Sequence, residues 1–121
     1  MLNIYGQMYH NFILKRSVRT SVIHVVASSF QLEESQILSP TRLQSNIALA
    51  RQTAMYLAHT GFGLSQYEVA NLFHRDRKTV AHACMIIEDL RDAAEFDLRL
   101  AVMEDAALCL HKASLYEGRA A

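Results

Sequence analysis

Apolar side chains recur at helical spacing on both sides of a very short polar interruption in this chain. Val69, Leu72 and Phe73 fall three and four residues apart; after His74-Arg75-Asp76 the series resumes as Val80, Ala83, Cys84, Ile87 and Leu90. That is the stripe of one buried helix face. Ser65 followed three residues on by Glu68 predicts a capping box at the start of the first helix, and Asp76 suits the N-cap of the second. The opposite face of the second helix carries Arg77, Lys78, Ala81, His82 and Met85. Two adjacent cations on the first half turn, small residues behind them and a packed underside are what a helix inserted in a DNA major groove requires. The same pattern also describes a generic helical hairpin.

The flanking segments extend the helical reading. Val18, Val22, Val25, Val26 and Phe30 form a stripe ending near Gln31, Glu33 to Leu38 predicts one further turn, and Ser39-Pro40 forces a loop. Asn46 is the expected cap of the next helix, with Ile47, Ala50, Ala54 and Leu57 buried and Arg51 and Gln52 pointing elsewhere. Gly61-Phe62-Gly63 closes that helix as a C-cap turn. Residues 1–14 are aromatic and aliphatic without a clean period, and Gly6 counts against a helix there; the segment is expected to dock on the body or to join an interface. From Asp92 to Tyr116, where there is no Gly or Pro, two apolar stripes lie on opposite sides: Leu98, Val102, Ala106, Cys109 and Ala113, and Leu100, Met103, Ala107 and Leu110. Either both are buried within the chain, or the second, with Leu2, Ile4, Tyr5, Met8 and Tyr9, meets another copy in a homodimer. The expected fold is an all-α multi-helix bundle: an apolar segment 1–16, a helix-turn-helix domain 17–95, and a C-terminal helix 96–121 packed on the domain or in a dimer interface.

Three blocks carry a resemblance. Arg51-Gln52-Thr53-Ala54-Met55-Tyr56-Leu57-Ala58, Leu64-Ser65-Gln66-Tyr67-Glu68-Val69, and Arg75 to Cys84 with Ile87-Glu88 after it resemble the C-terminal DNA-binding domain of the bacterial replication initiator DnaA, in order and at nearly the right separations. The resemblance implies a Trp-repressor-like helix-turn-helix that binds double-stranded DNA. Residue by residue it implies phosphate contacts from Arg51, Gln52, Arg75, Thr79 and His82, base contacts from Arg77 and Lys78, and further contacts around Ser65, Gln66 and Asp76. It also implies a basic loop over 40–46 whose arginine enters the minor groove; here Arg42 is the loop's cation and Leu43 holds the family position. Two departures matter. One residue, His74, stands between Phe73 and Arg75 where initiators carry two glycines, so a tilted recognition helix is expected. Arg77 and Lys78 replace the usual histidine and threonine, and because arginine prefers guanine O6 and N7, a changed target sequence is expected.

Composition narrows the function further. With 121 residues and 51% hydrophobic content, one domain with one core is expected. The formal net charge is zero, which argues against strong nonspecific nucleic-acid binding, yet the charges are segregated. Arg42, Arg51, Arg75, Arg77 and Lys78 face only Glu68 and Asp76 between residues 42 and 82, whereas Glu88, Asp89, Asp92, Glu95, Asp97, Glu104 and Asp105 dominate the stretch after it. Cys84 and Cys109 have no C-x-x-C partner or finger-spaced histidine, so free thiols and no metal are expected. No P-loop, carboxylate pair or nucleophile-base set appears, so neither an enzyme nor a cofactor is indicated. Without a signal-peptide pattern or a membrane span, a cytoplasmic, nucleoid-associated protein of bacteria is expected. Two functions fit: DNA binding in replication initiation control or transcription regulation, and a protein adaptor that keeps the fold and regulates initiation through replication proteins without reading DNA.

Overall fold

Tyr56, Leu57, Val22, Val26, Val69, Val80 and Ile87, drawn from every part of the chain between residues 22 and 87, are all buried in one cluster. The computed structural model describes residues 4–40 and 45–120, except the side chains of residue 9 and of 117–120. Among them there is no strand; the order is α1 (Ile4–Phe30), α2 (Glu34–Leu38), α3 (Ser45–Tyr56), a π turn (Leu57–Gly61), α4 (Gln66–Phe73), α5 (Arg77–Leu90) and α6 (Ala94–Ala120). The all-α bundle with a helix-turn-helix is therefore the observed architecture, and α1 packs along α6 on one side and on α3 on the other.

Local chemistry sets most boundaries. Glu33 closes a reciprocal cap on α2, its backbone N–H donating to Gln36 Oε1 at 2.9 Å. At α4 the capping box is complete: Glu68 N–H donates to Ser65 Oγ (3.1 Å) and Ser65 N–H to Glu68 Oε1 (3.0 Å). Helix α3 begins at Ser45, one residue before the expected cap, and the Asn46 side chain accepts from Ile47 N–H inside the first turn. The Thr60 hydroxyl donates back to the Tyr56 carbonyl as α3 widens into the π turn, and Gly63, at φ +72°, supplies the left-handed residue that reverses the chain. Helix α4 ends in a Schellman-type cap in which His74 and Arg75 both donate to the Ala70 carbonyl. His74 itself sits at φ 54°, a left-handed conformation that costs a residue with a Cβ roughly 1–2 kcal/mol.

Two expectations are corrected. The N-terminal segment is helical from Ile4, because the first turns extend a 27-residue helix whose nucleus lies elsewhere, and one glycine near a helix end costs little. It is also undocked: Ile4, Tyr5, Met8 and Phe12 are exposed. The second correction concerns α6. Of the two alternatives, burial of both stripes or pairing of the second with another copy, neither holds as stated: Leu100, Met103 and Ala107 of the second stripe are buried in the core while Leu110 is exposed, and Leu98, Val102, Ala106, Cys109 and Ala113 of the first are exposed among the described residues. Spacing shows two faces, but the entry angle of α6 chooses between them. A polar chain fixes that angle: Tyr56 Oη donates to Glu88 Oε1 and accepts from Arg91 Nη1, each at 2.8 Å, and Arg91 Nε donates to Asp97 Oδ1 at 2.8 Å. Burial is the main reason the Tyr56 hydroxyl titrates above its ordinary value.

Three outcomes are expected. Ile87 has no exposed surface, so Ile87→Ala should destabilise the protein by about 2–5 kcal/mol in urea melts; a change within error would show that the site is not packed. His74→Gly should raise stability by about 0.5–1 kcal/mol, since relief of the left-handed strain exceeds glycine's extra chain entropy; a melting temperature that falls would mean the histidine ring contributes more than the strain removes. The third concerns pH. The Lys15 ammonium, 2.9 Å from Glu68 Oε2, and next the Ser65 amide hold the Glu68 carboxyl at about 2 instead of 4.5. A carboxyl with a depressed folded-state value stabilises above its unfolded value and loses that contribution as pH falls through the folded one. Both side chains are about a third exposed, so screening limits the effect to about 1 kcal/mol or less. Between pH ~5 and ~2 the parent should therefore lose more stability than Glu68→Gln; parallel curves would remove the ion pair from the account.

Candidate nucleic-acid interface

The site is built on a carbonyl cluster at the end of α2. A helix leaves its last carbonyls without intrahelical donors, and Pro40 has no N–H to offer in the residues that follow. Two arginines from different elements supply the donors. Arg51, on α3, donates from Nε to the Ile37 carbonyl (2.8 Å) and from Nη2 to the carbonyls of Ser39 (2.6 Å) and Gln36 (3.3 Å). Arg75, in the turn before α5, donates from Nη2 to the same Ser39 carbonyl at 2.7 Å. The backbone at Ser39 is thereby fixed against both α3 and the turn that precedes α5.

Beside this anchor lies an open cleft of about 490 Å³, lined by Pro40, Ala48, Arg51, Gln52, Met55, Arg75, Lys78, Thr79 and His82. Its lining holds no acid. Lys78, Thr79 and His82 come from one face of α5, Gln52 reaches in from α3, and the alanine at 48 keeps the floor low. Arg77 and Lys78 are exposed on the first turn of α5, which carries no acid of its own. Cations at a helix N-terminus oppose the macrodipole by a few tenths of a kcal/mol each, so this end of α5 is organised for something other than helix stability. Asp76 has the extended backbone of an N-cap, φ −70° and ψ 149°, although its side chain makes no capping bond.

Of the residues singled out from the sequence, Gln52, Arg75, Lys78, Thr79 and His82 converge on the cleft, whereas Asp76 and Arg77 are exposed at the start of α5 and are not part of its lining. Arg51 departs from expectation: it does not point away from the body but is 6% exposed, its guanidinium engaged by backbone carbonyls. Ser65 and Gln66 lie apart. The Ser65 hydroxyl is occupied by the Glu68 amide, and Gln66 borders a different cleft with Tyr56, His59, Met85 and Glu88. Arg42 and Leu43 lie outside the described residues. Sequence reasoning missed Ala48, Met55 and the Ser39 carbonyl; the serine before a proline was the available signal, since a backbone acceptor leaves no trace in side-chain patterning. Cys84 is buried and Cys109 exposed, both free, and no group of metal-ligating side chains occurs among the described residues. Nor is any helix among them long and apolar enough to cross a membrane.

Residues 20–87 match the family model described as the bacterial DnaA protein helix-turn-helix. The chain is 31% identical over 91 residues to the chromosomal replication initiator protein DnaA of Pseudothermotoga lettingae, covering 75% of this chain and 20% of that protein. With the initiator of Bifidobacterium animalis subsp. lactis it shares 41% identity over 71 residues, 58% of this chain and 12% of the relative. The chain thus spans a fifth or less of the length of these relatives. A crystal structure of a DNA replication initiation factor superposes with a TM-score of 0.75 at 27% identity, over 85% of this chain and 32% of the other. On the fold, the cleft and these matches together, the chain belongs to the bacterial DnaA helix-turn-helix family.

Proposed function

We propose that this protein binds double-stranded DNA with α5 in the major groove, and acts in control of replication initiation or in transcription regulation. The observation that carries the reading is the acid-free cleft: it joins the Pro40 loop, α3 and the N-terminal half of α5, and two cations stand on the turn that would enter the groove. Arg77 and Lys78 read base edges, the arginine taking guanine O6 and N7 in bidentate fashion. Gln52, Arg75, Thr79 and His82 hold phosphates and set the register. Arg51 works indirectly, because its bonds to Gln36, Ile37 and Ser39 hold the backbone that leads into Pro40; Arg42 is the proposed minor-groove contact. Ser65 and Gln66, at the start of α4, meet the backbone on the other side of α5.

Charge favours a second reading strongly enough to keep it. The formal net charge is zero and the turn is one residue shorter than the initiator pattern, which suits an adaptor that contacts replication proteins and leaves DNA alone. The two readings separate in fluorescence anisotropy on duplexes with and without initiator boxes across a salt series. DNA binding should show a log–log salt slope of about −2 to −4, from the few cations available. Arg77→Ala should cost about 1–3 kcal/mol on the preferred duplex and relax selectivity, whereas Arg75→Ala should weaken all duplexes alike. Equal losses from both changes on every duplex would overturn the base-reading role, and no salt-dependent binding at all would favour the adaptor.

A further inference from the structure

Among the described residues, the outward face of α6 has no packing partner, and its side chains fall at coiled-coil spacing. Leu98, Val102, Asp105, Cys109, Lys112 and Tyr116 follow one another at intervals of four, three, four, three and four residues, the a/d spacing of a heptad, and all six are exposed. Leu98 is 67% and Val102 60% exposed, in a helix whose opposite face, Leu100, Met103 and Ala107, is fully committed to the core. Alongside the seam runs an apolar groove of about 560 Å³, to which Val25 and Ser28 of α1 contribute with Leu98, Val102 and Ala106. The family match stops at residue 87, so this face belongs to a part of the chain outside the shared helix-turn-helix.

The two charges in the seam say what covers it. In a parallel pair of these helices Asp105 would face Asp105 and Lys112 would face Lys112, each repelling its like. In an antiparallel pair centred near Ala107, Leu98 meets Tyr116 of the second copy, Val102 lies along the aliphatic stem of its Lys112, and Asp105 meets its Cys109. The Lys112 ammonium then stands about one helical turn or less from Asp105, in both halves of the interface at once. We propose that α6 pairs antiparallel with α6 of a second copy about a two-fold axis near Ala107, forming a homodimer held by the Leu98/Val102 seam and oriented by the Asp105–Lys112 pairs. The cleft beside α5 has no lining residue from α6, so this association leaves the candidate interface open and presents two of them. It is independent of whether that cleft takes DNA.

Sedimentation velocity of the full chain under reducing conditions tests the proposal. At tens of micromolar the parent should sediment as a dimer and Val102→Glu as a monomer with an unchanged thermal melt. Asp105→Lys and Lys112→Asp should each weaken the dimer roughly tenfold, since each converts two attractions into two repulsions. The double exchange Asp105→Lys/Lys112→Asp should restore it. A monomeric parent overturns the proposal, as does a double exchange that is no tighter than the single ones.

Discussion

One backbone carbonyl, that of Ser39, accepts from two arginines that arrive from different parts of the chain. A carbonyl beyond the end of a five-residue helix, next to a proline, is a group that water or protein must satisfy. Here the donors are cationic, which makes the bonds short and about twice as strong as neutral ones. Their consequence is geometric. Arg51 ties α3, and Arg75 the turn before α5, to the Ser39 carbonyl, next to the Pro40 that lines the cleft. Without this node the cations of α5 would still be exposed and α3 would still pack on α5, but the end of α2 would lose its tie to both.

The same node explains how a neutral chain keeps a cationic working surface. Most of the acids lie late, from Glu88 to Asp105, where Glu88 and Asp97 join the Tyr56–Arg91 chain at the start of α6. Between residues 42 and 82 five cations stand against Glu68 and Asp76. The net charge of zero is therefore a sum over two separated regions, and Arg77 and Lys78 act within a region that has Asp76 as its nearest acid in sequence. The strained His74 turn belongs to this arrangement: accepting a left-handed histidine shortens the link between α4 and α5 and brings Arg75 within reach of Ser39.

Much of this was legible from residues alone, and for a common reason: local signals depend on nearest neighbours. The Ser65–Glu68 box, the Asp76 boundary, the α2 turn and the buried set Val69, Phe73, Val80, Cys84 and Ile87 follow from spacing and capping chemistry, which a folded context seldom reverses. The three matching blocks added the family, because they fix side-chain types where the fold needs them. Arg51 was misread, since an arginine next to a polar glutamine looks solvent-facing until a distant carbonyl is placed beside it.

Which face of α6 is buried, and whether the N-terminal turns dock, could not be read from periodicity. Both stripes of α6 have the helical repeat, and it is the packing of α6 along α1, with the Arg91 bonds to Asp97 and Tyr56 at its start, that takes Leu100, Met103 and Ala107 into the core. Likewise the apolar Ile4 to Phe12 stretch continues α1 into solvent because the helix propagates past the end of its packed region. Pattern and capping thus settle where helices start, stop and have an apolar side; long-range hydrogen bonds, invisible in any local window, settle which of those sides meet.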